Sequence, residues 1–263
     1  MLRPRESRDL RLNAIELTAT PQARIAWAQD VFGNTVATAS FLTMTDTLRF
    51  DCTASLDLHA LPWPLFDVAM SAISFPFFYS NEERIDLGAL TAVQYADPNG
   101  RLLAWARSFV RFSPTDTLSL LKDLSAGVAN AVAYQSREDE GTQTPLDTLD
   151  RGWGSCRDFA VLFAEAARSL NFGARIVSGY LYNPAGGLIG SGGPGSTHAW
   201  AEVYVPGAGW ITFDPTNRSV GGFNLIPVAV GRDITQIAPV SGSYAGAPDA
   251  FAGMTVNVEV AGA

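Results

Sequence analysis

The sequence predicts an α+β protein, in which a β-rich N-terminal part precedes a helix packed on an antiparallel sheet. Residues 47–58 alternate polar and apolar side chains with a period of two, which is typical of a half-buried strand. Residues 155–170 are apolar nearly all round, which indicates a central, buried helix. Strand patterns return after this helix, and a helix followed by a run of strands favours the α+β class.

Composition is that of an ordinary globular protein and excludes several classes of function. The chain has 263 residues, of which 47% are hydrophobic and 17% are charged. The formal net charge of −8 argues against nucleic-acid binding, which needs clustered Lys and Arg. The sequence has no apolar run of about 18 residues and no signal-peptide pattern at its charged N-terminus. We therefore expect a cytoplasmic protein with neither a nucleic-acid partner nor a membrane partner.

Residues 1–100 are predicted to form a β-rich domain. The strand at residues 47–58 places Phe50, Cys52 and Leu56 on its buried face, so Cys52 is expected to be a core cysteine. The DVFGN segment at residues 30–34 lies between two strand-like runs and predicts a hairpin turn. His59 follows the strand and is expected to be a structural or surface residue.

Residues 101–263 are predicted to form a second domain, after a strong turn signal at residues 97–100. A helix is expected to open at residues 113–116, and a helical turn is expected at residues 146–149. The buried helix should begin at Ser155, with Gly173 as its stop signal. Strands are predicted at residues 175–180, 198–205, 210–214 and 255–260.

One cysteine stands at the start of the buried helix, inside the motif GWGSCRDFA at residues 152–160. Free backbone N–H groups and the helix dipole favour negative charge there, and both effects stabilise a thiolate at Cys156. The chain has only one other cysteine and two histidines, so neither a disulfide framework nor a structural zinc site is expected. The sequence implies no cofactor and no metal.

The hairpin after the helix is expected to bring a histidine and a carboxylate together. If the apolar residues of both strands share the buried face, His198 and Asp214 share the other face. Paired residues whose numbers sum to 412 would place the two directly opposite each other, whereas a sum of 414 would make them diagonal neighbours. Either pairing leaves the two side chains within reach, and a slip of one residue would separate them.

These three residues predict a catalytic triad. His198 would accept the proton of the Cys156 thiol, and Asp214 would fix the imidazole tautomer and stabilise its positive charge. The Cys156 backbone N–H is the natural first oxyanion donor. The Trp153 indole is a candidate second donor, although a tryptophan that simply packs is the common alternative. Each triad residue taken alone would have an ordinary structural explanation, and their combination favours a site.

The motif at residues 152–160, ARIVSGYL at 174–181 and THAWAEVYVPGAGWITFDPT at 197–216 together resemble the bacterial form of the transglutaminase-like superfamily. The resemblance implies a papain-like core with Cys156, His198 and Asp214 as its triad. Trp153 and Trp200 lie within these motifs and are retained as oxyanion or substrate-binding candidates. The family's papain-type relatives carry a glutamine before the cysteine as an oxyanion donor, whereas Asp150 lies there in this chain.

The first part of the chain, with LRPR at residues 2–5 and DVFGN, resembles the N-terminal β-domain that accompanies this family. The family has more strand before LRPR, so the resemblance implies that this domain lacks its first strand. The implied activity is thiol acyl transfer through a thioester. We expect an amide hydrolase, with peptidase preferred, that acts on a protein or peptide. A transglutaminase, a glutamine deamidase and a non-catalytic binding module remain alternatives, and the sequence leaves the oligomeric state open.

The segment at residues 183–197 is rich in glycine and proline and directly precedes His198. A phosphate-binding loop is excluded, because neither the GK[ST] motif nor a strand–loop–helix context is present. A lid beside His198 and a plain flexible loop remain equal interpretations.

Overall fold

Four strands build the N-terminal part of the protein. The structure is a computed structural model that describes residues 1–137, 141–190, 195–247 and 249–262. The strands are β1 (Leu10–Thr20), β2 (Arg24–Gln29), β3 (Thr35–Ser40) and β4 (Arg49–Leu58). They form two antiparallel pairs, β1 with β4 and β2 with β3. The hairpin predicted at residues 30–34 is confirmed, because those residues join β2 to β3.

Strand β4 follows the predicted alternation, but its apolar face is only half covered. Phe50, Cys52 and Leu56 are each partly buried and their polar neighbours are exposed. A sheet of two strands offers little surface to bury a face against. The expectation that Cys52 is a core cysteine was therefore wrong, because its side chain lies half-buried.

The stretch between β4 and the central helices contains short elements. In chain order they are a 3-10 turn (Met70–Ala72), β5 (Ser74–Phe75), α1 (Asn81–Leu87), a second 3-10 turn (Gly88–Thr91), α2 (Arg101–Arg107) and β6 (Thr115–Asp116). Helix α1 begins with a capping box, in which Ser80 and Glu83 bond each other's backbone N–H. This S-x-x-E signal for a helix was overlooked within the region predicted to be β-rich. The division of the chain at residue 100 remains a prediction.

Helices α3 (Thr117–Ala131), α4 (Pro145–Arg151) and α5 (Cys156–Ser169) follow, with β7 (Ala133–Tyr134) and β8 (Trp153–Gly154) between them. Asp116 caps α3 and accepts the Ser119 N–H, which confirms the predicted opening. Helix α5 has Ser155 as its N-cap, as predicted. It ends before Gly173, because Asn171 adopts the left-handed conformation (φ 69°) and Gly173 already begins the next strand.

One antiparallel sheet of five strands supports α5. Its strands are β9 (Gly173–Tyr182), β10 (Gly195–Val205), β11 (Gly209–Asp214), β12 (Ser219–Val220) and β13 (Leu225–Gly231), in the spatial order β12-β11-β10-β9-β13. A last 3-10 turn follows at Ile234–Ile237. Apolar residues of α3 and α5 pack on one face of the sheet and form the larger core cluster. This helix on an antiparallel sheet is the predicted α+β, papain-like arrangement.

The opposite face of the sheet carries a second, smaller apolar cluster. Its members are Val177, Leu181, Trp200, Leu225 and Val230, with Phe32 and Leu188 packed against them. Phe32 belongs to the β2–β3 hairpin, so the N-terminal part of the chain covers this end of the sheet.

The β2–β3 hairpin also reaches the edge strand β13. The buried side chain of Asn34 donates to the Val230 carbonyl (2.7 Å) and accepts the Val230 N–H (2.8 Å). Arg5 donates to the Asn34 side chain, and its own backbone N–H donates to the Pro227 carbonyl (2.7 Å). The N-terminal part is thus bonded to the edge of the sheet at two points.

A buried ion pair connects α5 to the segments around it. Glu165 and Arg168 are both fully buried and lie 2.6 Å apart. Glu165 also accepts the backbone N–H groups of Gln94 and Tyr95. Arg168 donates to three backbone carbonyls, those of Leu90, Ala174 and Arg232. The pair therefore fixes α5 against chain segments on both sides of it.

The strand expected at residues 255–260 was wrong. In the described part of the C-terminal segment these residues form no strand, and most of them are exposed. The outer edge of β13 is already bonded by Asn34 and Arg5, so the alternation at 255–260 has no partner strand there.

Candidate active site

The thiol of Cys156 lies at the first position of helix α5. Ser155 caps the helix, and the first-turn N–H groups that have no partner within the helix point toward its start. Cys156 is partly exposed and packs against the larger core cluster. A partly exposed thiol at a helix start is suited to act as a nucleophile, because the helix dipole stabilises a thiolate there.

The carboxylate of Asp158, in the same turn, is fully occupied by hydrogen bonds. It accepts the backbone N–H (2.8 Å) and hydroxyl (2.9 Å) of Ser155, the Gln143 N–H (2.7 Å) and the Arg137 guanidinium (3.0 Å). The Asp158 side chain is completely buried. Its negative charge is thus matched by donors, and it holds the helix start against the segment that precedes α4.

The hairpin of β10 and β11 places His198 and Asp214 together. Ala201 pairs with Phe213 and Val203 with Ile211, so the numbers of paired residues sum to 414. Of the two registers considered from the sequence, this is the one that makes His198 and Asp214 diagonal neighbours. Nε2 of His198 lies 2.8 Å from Oδ2 of Asp214, and neither side chain is exposed.

The protonation of this pair follows from its surroundings. Burial would raise the pKa of Asp214, but the His198 charge and the hydrogen bonds from His198 and Asn217 outweigh it and lower that pKa. An ionised carboxylate only accepts, so Nε2 of His198 carries the hydrogen. Burial would likewise lower the pKa of His198, but Asp214 and then Cys156 outweigh it and raise that pKa.

The second imidazole nitrogen faces the nucleophile. Nδ1 of His198 is buried and has no hydrogen bond of standard geometry in the described structure. The Cys156 thiol is close enough to act on the imidazole and raise its pKa. Nδ1 is therefore the atom through which a proton can pass between the histidine and the sulfur.

Tyr134 also lies at this site, although no sequence pattern indicated it. Strand β7 runs parallel to β8 and pairs Tyr134 with Gly154, two residues before Cys156. A Cβ built on Gly190 would lie 3.2 Å from the Tyr134 hydroxyl oxygen and 3.6 Å from Nδ1 of His198, so both atoms border the same small space. Burial and the nearby Cys156 raise the pKa of Tyr134, which keeps the phenol protonated. A tyrosine in a strand of two residues has no sequence signal of its own.

Two family models match this chain. Residues 103–215 match the model of the transglutaminase-like superfamily, and residues 1–57 match that of the bacterial transglutaminase-like N-terminal region. The chain carries a transglutaminase-like core. The matched core contains Cys156, His198 and Asp214, and the second model covers the strands β1–β4 except for the end of β4.

The chain has relatives of known sequence and structure. The uncharacterized protein ML0607 of Mycobacterium leprae is 40% identical over 101 residues, which are 38% of this chain and 36% of that protein. The uncharacterized protein YebA of Bacillus subtilis is 32% identical over 99 residues, which are 34% of this chain and 13% of that protein. The chain therefore matches only a minor part of the length of both relatives.

A solved structure shares the fold over most of the chain. It is that of a candidate cysteine protease from Cytophaga hutchinsonii, 22% identical, with a TM-score of 0.70 over 90% of this chain and 76% of that chain. At this level of identity the similarity concerns the fold.

Two tryptophans of the transglutaminase-like core were candidates for oxyanion or substrate binding. Trp153 lies in β8, partly buried, with the Arg151 guanidinium 5.8 Å from its ring centroid. Trp200 is only 1% exposed and belongs to the second apolar cluster, with its ring 6.1 Å from that of His198. The Trp200 ring thus lies beside the imidazole within the second apolar cluster, and it offers no exposed surface to a substrate in this conformation. The role of Trp153 remains a prediction.

Asp150, at the position of the papain-type glutamine, forms an exposed ion pair with Arg101. Among the described residues no group of three or more His, Cys, Asp or Glu side chains could hold a metal ion. No helix in the described ranges is long and apolar enough to cross a bilayer. Part of the glycine-rich segment, residues 191–194, lies outside the described residues.

Proposed function

We propose that this protein is a cysteine-nucleophile amide hydrolase that acts on a protein or peptide, with peptide-bond hydrolysis as the preferred reaction. One observation carries the proposal. The imidazole of His198 is bonded through Nε2 to Asp214, while its buried and unbonded Nδ1 is left for the thiol of Cys156. A nucleophile, a base and an orienting carboxylate in this order of contact are the parts of a nucleophilic triad.

In the first step the Cys156 sulfur attacks the carbonyl carbon of an amide, and a C–S bond forms while the C=O π electrons move to the oxygen. We propose the Cys156 backbone N–H and the Tyr134 hydroxyl as donors to this oxyanion. Removal of one such donor typically raises the barrier by about 3–4 kcal/mol. The C=O bond then re-forms as the C–N bond breaks. Nδ1–H of His198, which carries the proton that left the Cys156 thiol, protonates the leaving amine, and a thioester remains on Cys156.

In the second step water takes the place of the amine. His198, now neutral, removes a proton from the water through Nδ1, and the water oxygen attacks the thioester carbon. The C–S bond breaks, the acid leaves, and the thiolate–imidazolium pair is restored. A primary amine in place of water would give transglutamination through the same thioester. We prefer hydrolysis because water needs no second binding site.

The thiol is tested first, by iodoacetamide labelling over a range of pH with mass spectrometry as the readout. Cys156 is expected to label faster than Cys52 and to remain reactive well below about pH 8.5, where a free thiol is half ionised. His198→Ala should abolish this advantage. Cys52 is an internal control, because burial raises the pKa of its thiol. Equal labelling of the two cysteines would contradict the proposal and favour a non-catalytic binding module.

The reaction is tested next with a mixture of peptides, with and without a primary amine, for wild type and Cys156→Ser. Cleavage that depends on Cys156 supports the hydrolase. Cys156-dependent addition of the amine to glutamine would replace it with a transglutaminase, and loss of ammonia from glutamine in water would replace it with a deamidase.

A further inference from the structure

The side chain of Asn217 joins the triad carboxylate to the backbone of the segment that covers the histidine. Its Nδ2 donates to Oδ2 of Asp214 (2.9 Å) and to the Ile189 carbonyl (3.3 Å). Its Oδ1 accepts the Ile189 N–H (2.7 Å). One amide thereby binds both polar groups of a backbone residue and, with its remaining hydrogen, the same carboxylate oxygen that His198 bonds.

The residue after Ile189 lies directly over the reactive side of the imidazole. Gly190 has a φ of +86°, and a Cβ there would lie 3.6 Å from Nδ1 of His198 and 3.2 Å from the Tyr134 hydroxyl. Its carbonyl accepts the Ser196 hydroxyl (2.8 Å). Backbone at this position excludes solvent from Nδ1, which is buried although it has no standard hydrogen bond.

We propose that Asn217 is a positioning residue that holds the backbone of Ile189 and Gly190 over the His198 imidazole and, with the same side chain, fixes the Asp214 carboxylate. The inference rests on the proposed function, because it assigns a task within the same site. Its physical basis is that the amide of Asn217, although partly exposed, has a partner for each of its polar atoms, so that one side chain restrains the Ile189 backbone and the Asp214 carboxylate together.

The consequence concerns the path of the proton. With Gly190 in place, Nδ1 meets the thiol, the leaving group or the single water that takes the place of the leaving group, and not bulk water. The titratable groups around the imidazole are Cys156 and Asp214, with Tyr134 across the space beside Gly190. The positive charge of Arg157 acts on Tyr134 and opposes the rise in the pKa of its phenol. If the Asn217 side chain is truncated, the backbone of Ile189 and Gly190 is no longer held over the imidazole, and water can reach Nδ1. Asp214 also loses one of its hydrogen-bond donors, so the thiolate–imidazolium pair should be less stable.

The test combines two measurements on Asn217→Ala. Selective ¹⁵N-isoleucine labelling reports hydrogen exchange at the Ile189 amide, and iodoacetamide labelling reports the pH profile of Cys156. Exchange should become roughly tenfold faster, as expected when an ordinary hydrogen bond is lost. The labelling rate of Cys156 at pH 6 should also fall roughly tenfold, since the imidazolium partner is less well stabilised.

Ser169→Ala is the control. It removes a hydrogen bond from a side chain to a backbone carbonyl, that of Ala166 (2.7 Å), without touching Gly190 or Asp214, so both the exchange rate at Ile189 and the pH profile of Cys156 should stay those of wild type. If Asn217→Ala proves too unstable to study, Asn217→Asp retains an acceptor for the Ile189 N–H but no donor. It should leave Ile189 protected and still alter the pH profile.

The outcomes separate the two proposals. An unchanged pH profile in a folded Asn217 variant, with an activated wild-type Cys156, overturns the role of Asn217 and leaves the proposed function intact. An unchanged rate of hydrogen exchange at the Ile189 amide in Asn217→Ala overturns the claim that Asn217 holds the backbone of Ile189 and Gly190 in place. A wild-type Cys156 that labels like Cys52 overturns the proposed function itself.

Discussion

His198 and Asp214 meet diagonally across the β10–β11 hairpin and not face to face. The observed register, continued by one pair, sets Asp214 opposite Trp200, and the carboxylate reaches back along the strand to Nε2 of His198 at 2.8 Å. Trp200 fills the space beneath with its ring 6.1 Å from the imidazole. The diagonal leaves the Nδ1 side of the ring free to face Cys156, which is the geometry that the proposed acyl transfer requires.

Asp214→Asn should reduce amide hydrolysis by about 10⁴-fold, because the carboxamide no longer stabilises the imidazolium or enforces the Nε2–H tautomer. The Thr216 and Asn217 backbone N–H groups that bond the carboxylate can still bond the amide oxygen, so the fold should persist. The measurement is kcat/KM on a cleaved peptide. Asp233→Asn is the control, since it alters a hydrogen-bonded carboxylate outside the triad. Comparable loss in both variants would contradict the role of Asp214.

Tyr134→Phe should lower kcat about 100-fold while leaving the alkylation rate of Cys156 unchanged. Alkylation by iodoacetamide forms no oxyanion, whereas amide attack does, so only the second reaction needs the hydroxyl. Tyr95→Phe removes a hydroxyl that bonds Asp233 and should affect neither rate. If the rates of alkylation and hydrolysis fall in parallel in Tyr134→Phe, the hydroxyl affects the reactivity of the Cys156 thiol itself and is not an oxyanion donor.

His198 should make the stability of the protein depend on pH. Because its pKa is raised in the folded state, its charge contributes stability that is complete below about pH 6.5, the unfolded value, and is lost as pH rises through the folded pKa. The difference in free energy of unfolding between wild type and His198→Gln should therefore shrink from pH 6 to pH 9. Urea denaturation at several pH values measures it, and a difference that grows with pH would refute the assignment.

Arg168→Met should destabilise the fold by about 3–5 kcal/mol, because it leaves the Glu165 charge buried without its partner. Arg101→Ala removes one side of the exposed pair with Asp150 and should leave the free energy of unfolding close to that of wild type, because solvent screens an exposed pair. Urea denaturation compares the two free energies of unfolding. A similar loss of free energy of unfolding in the two variants would mean that burial does not determine the contribution of the Glu165–Arg168 pair.

Gly179→Ala should destabilise the protein by more than about 3 kcal/mol or prevent folding. Gly179 pairs with His198, and a Cβ there would lie 2.1 Å from the Ile226 carbonyl oxygen and 2.7 Å from the Trp200 ring. Gly222→Ala is the matched control, because its Cβ would meet nothing within 4 Å. Thermal unfolding of both variants is sufficient, and a stable Gly179→Ala would disprove the tight packing beneath the histidine.

Local signals made the main parts of the site predictable. Ser155 before an apolar helix indicated the position of Cys156, and the apolar alternation on either side of the turn predicted at residues 206–209 limited His198 and Asp214 to two registers. The roles of these residues remain proposals, but their meeting follows from period and turn position. These features depend on neighbours close in sequence, which a single sequence displays.

The parts that were missed depend on contacts between distant segments. Tyr134 reaches the site through a pairing of two residues with β8, and Asn217 acts on Ile189, which is remote along the chain. No period or cap marks either residue. The alternation at residues 255–260 was misleading for the converse reason, because a strand pattern forms a strand only where an edge is open to receive it.

Through the contact between Asn34 and Val230, the N-terminal part of the chain covers part of the edge of the five-stranded sheet. β13 is the outermost strand of its sheet, and Asn34 presents to it one donor and one acceptor, as a residue of a neighbouring strand would. The Asn34 side chain bonds the backbone polar groups of Val230 that an unpaired edge strand would offer to another chain. It thereby prevents a second molecule from pairing with β13 at this point and beginning edge-to-edge aggregation. A fragment cut at residue 100 would keep Cys156, His198 and Asp214 and yet expose that edge, so the isolated core should self-associate.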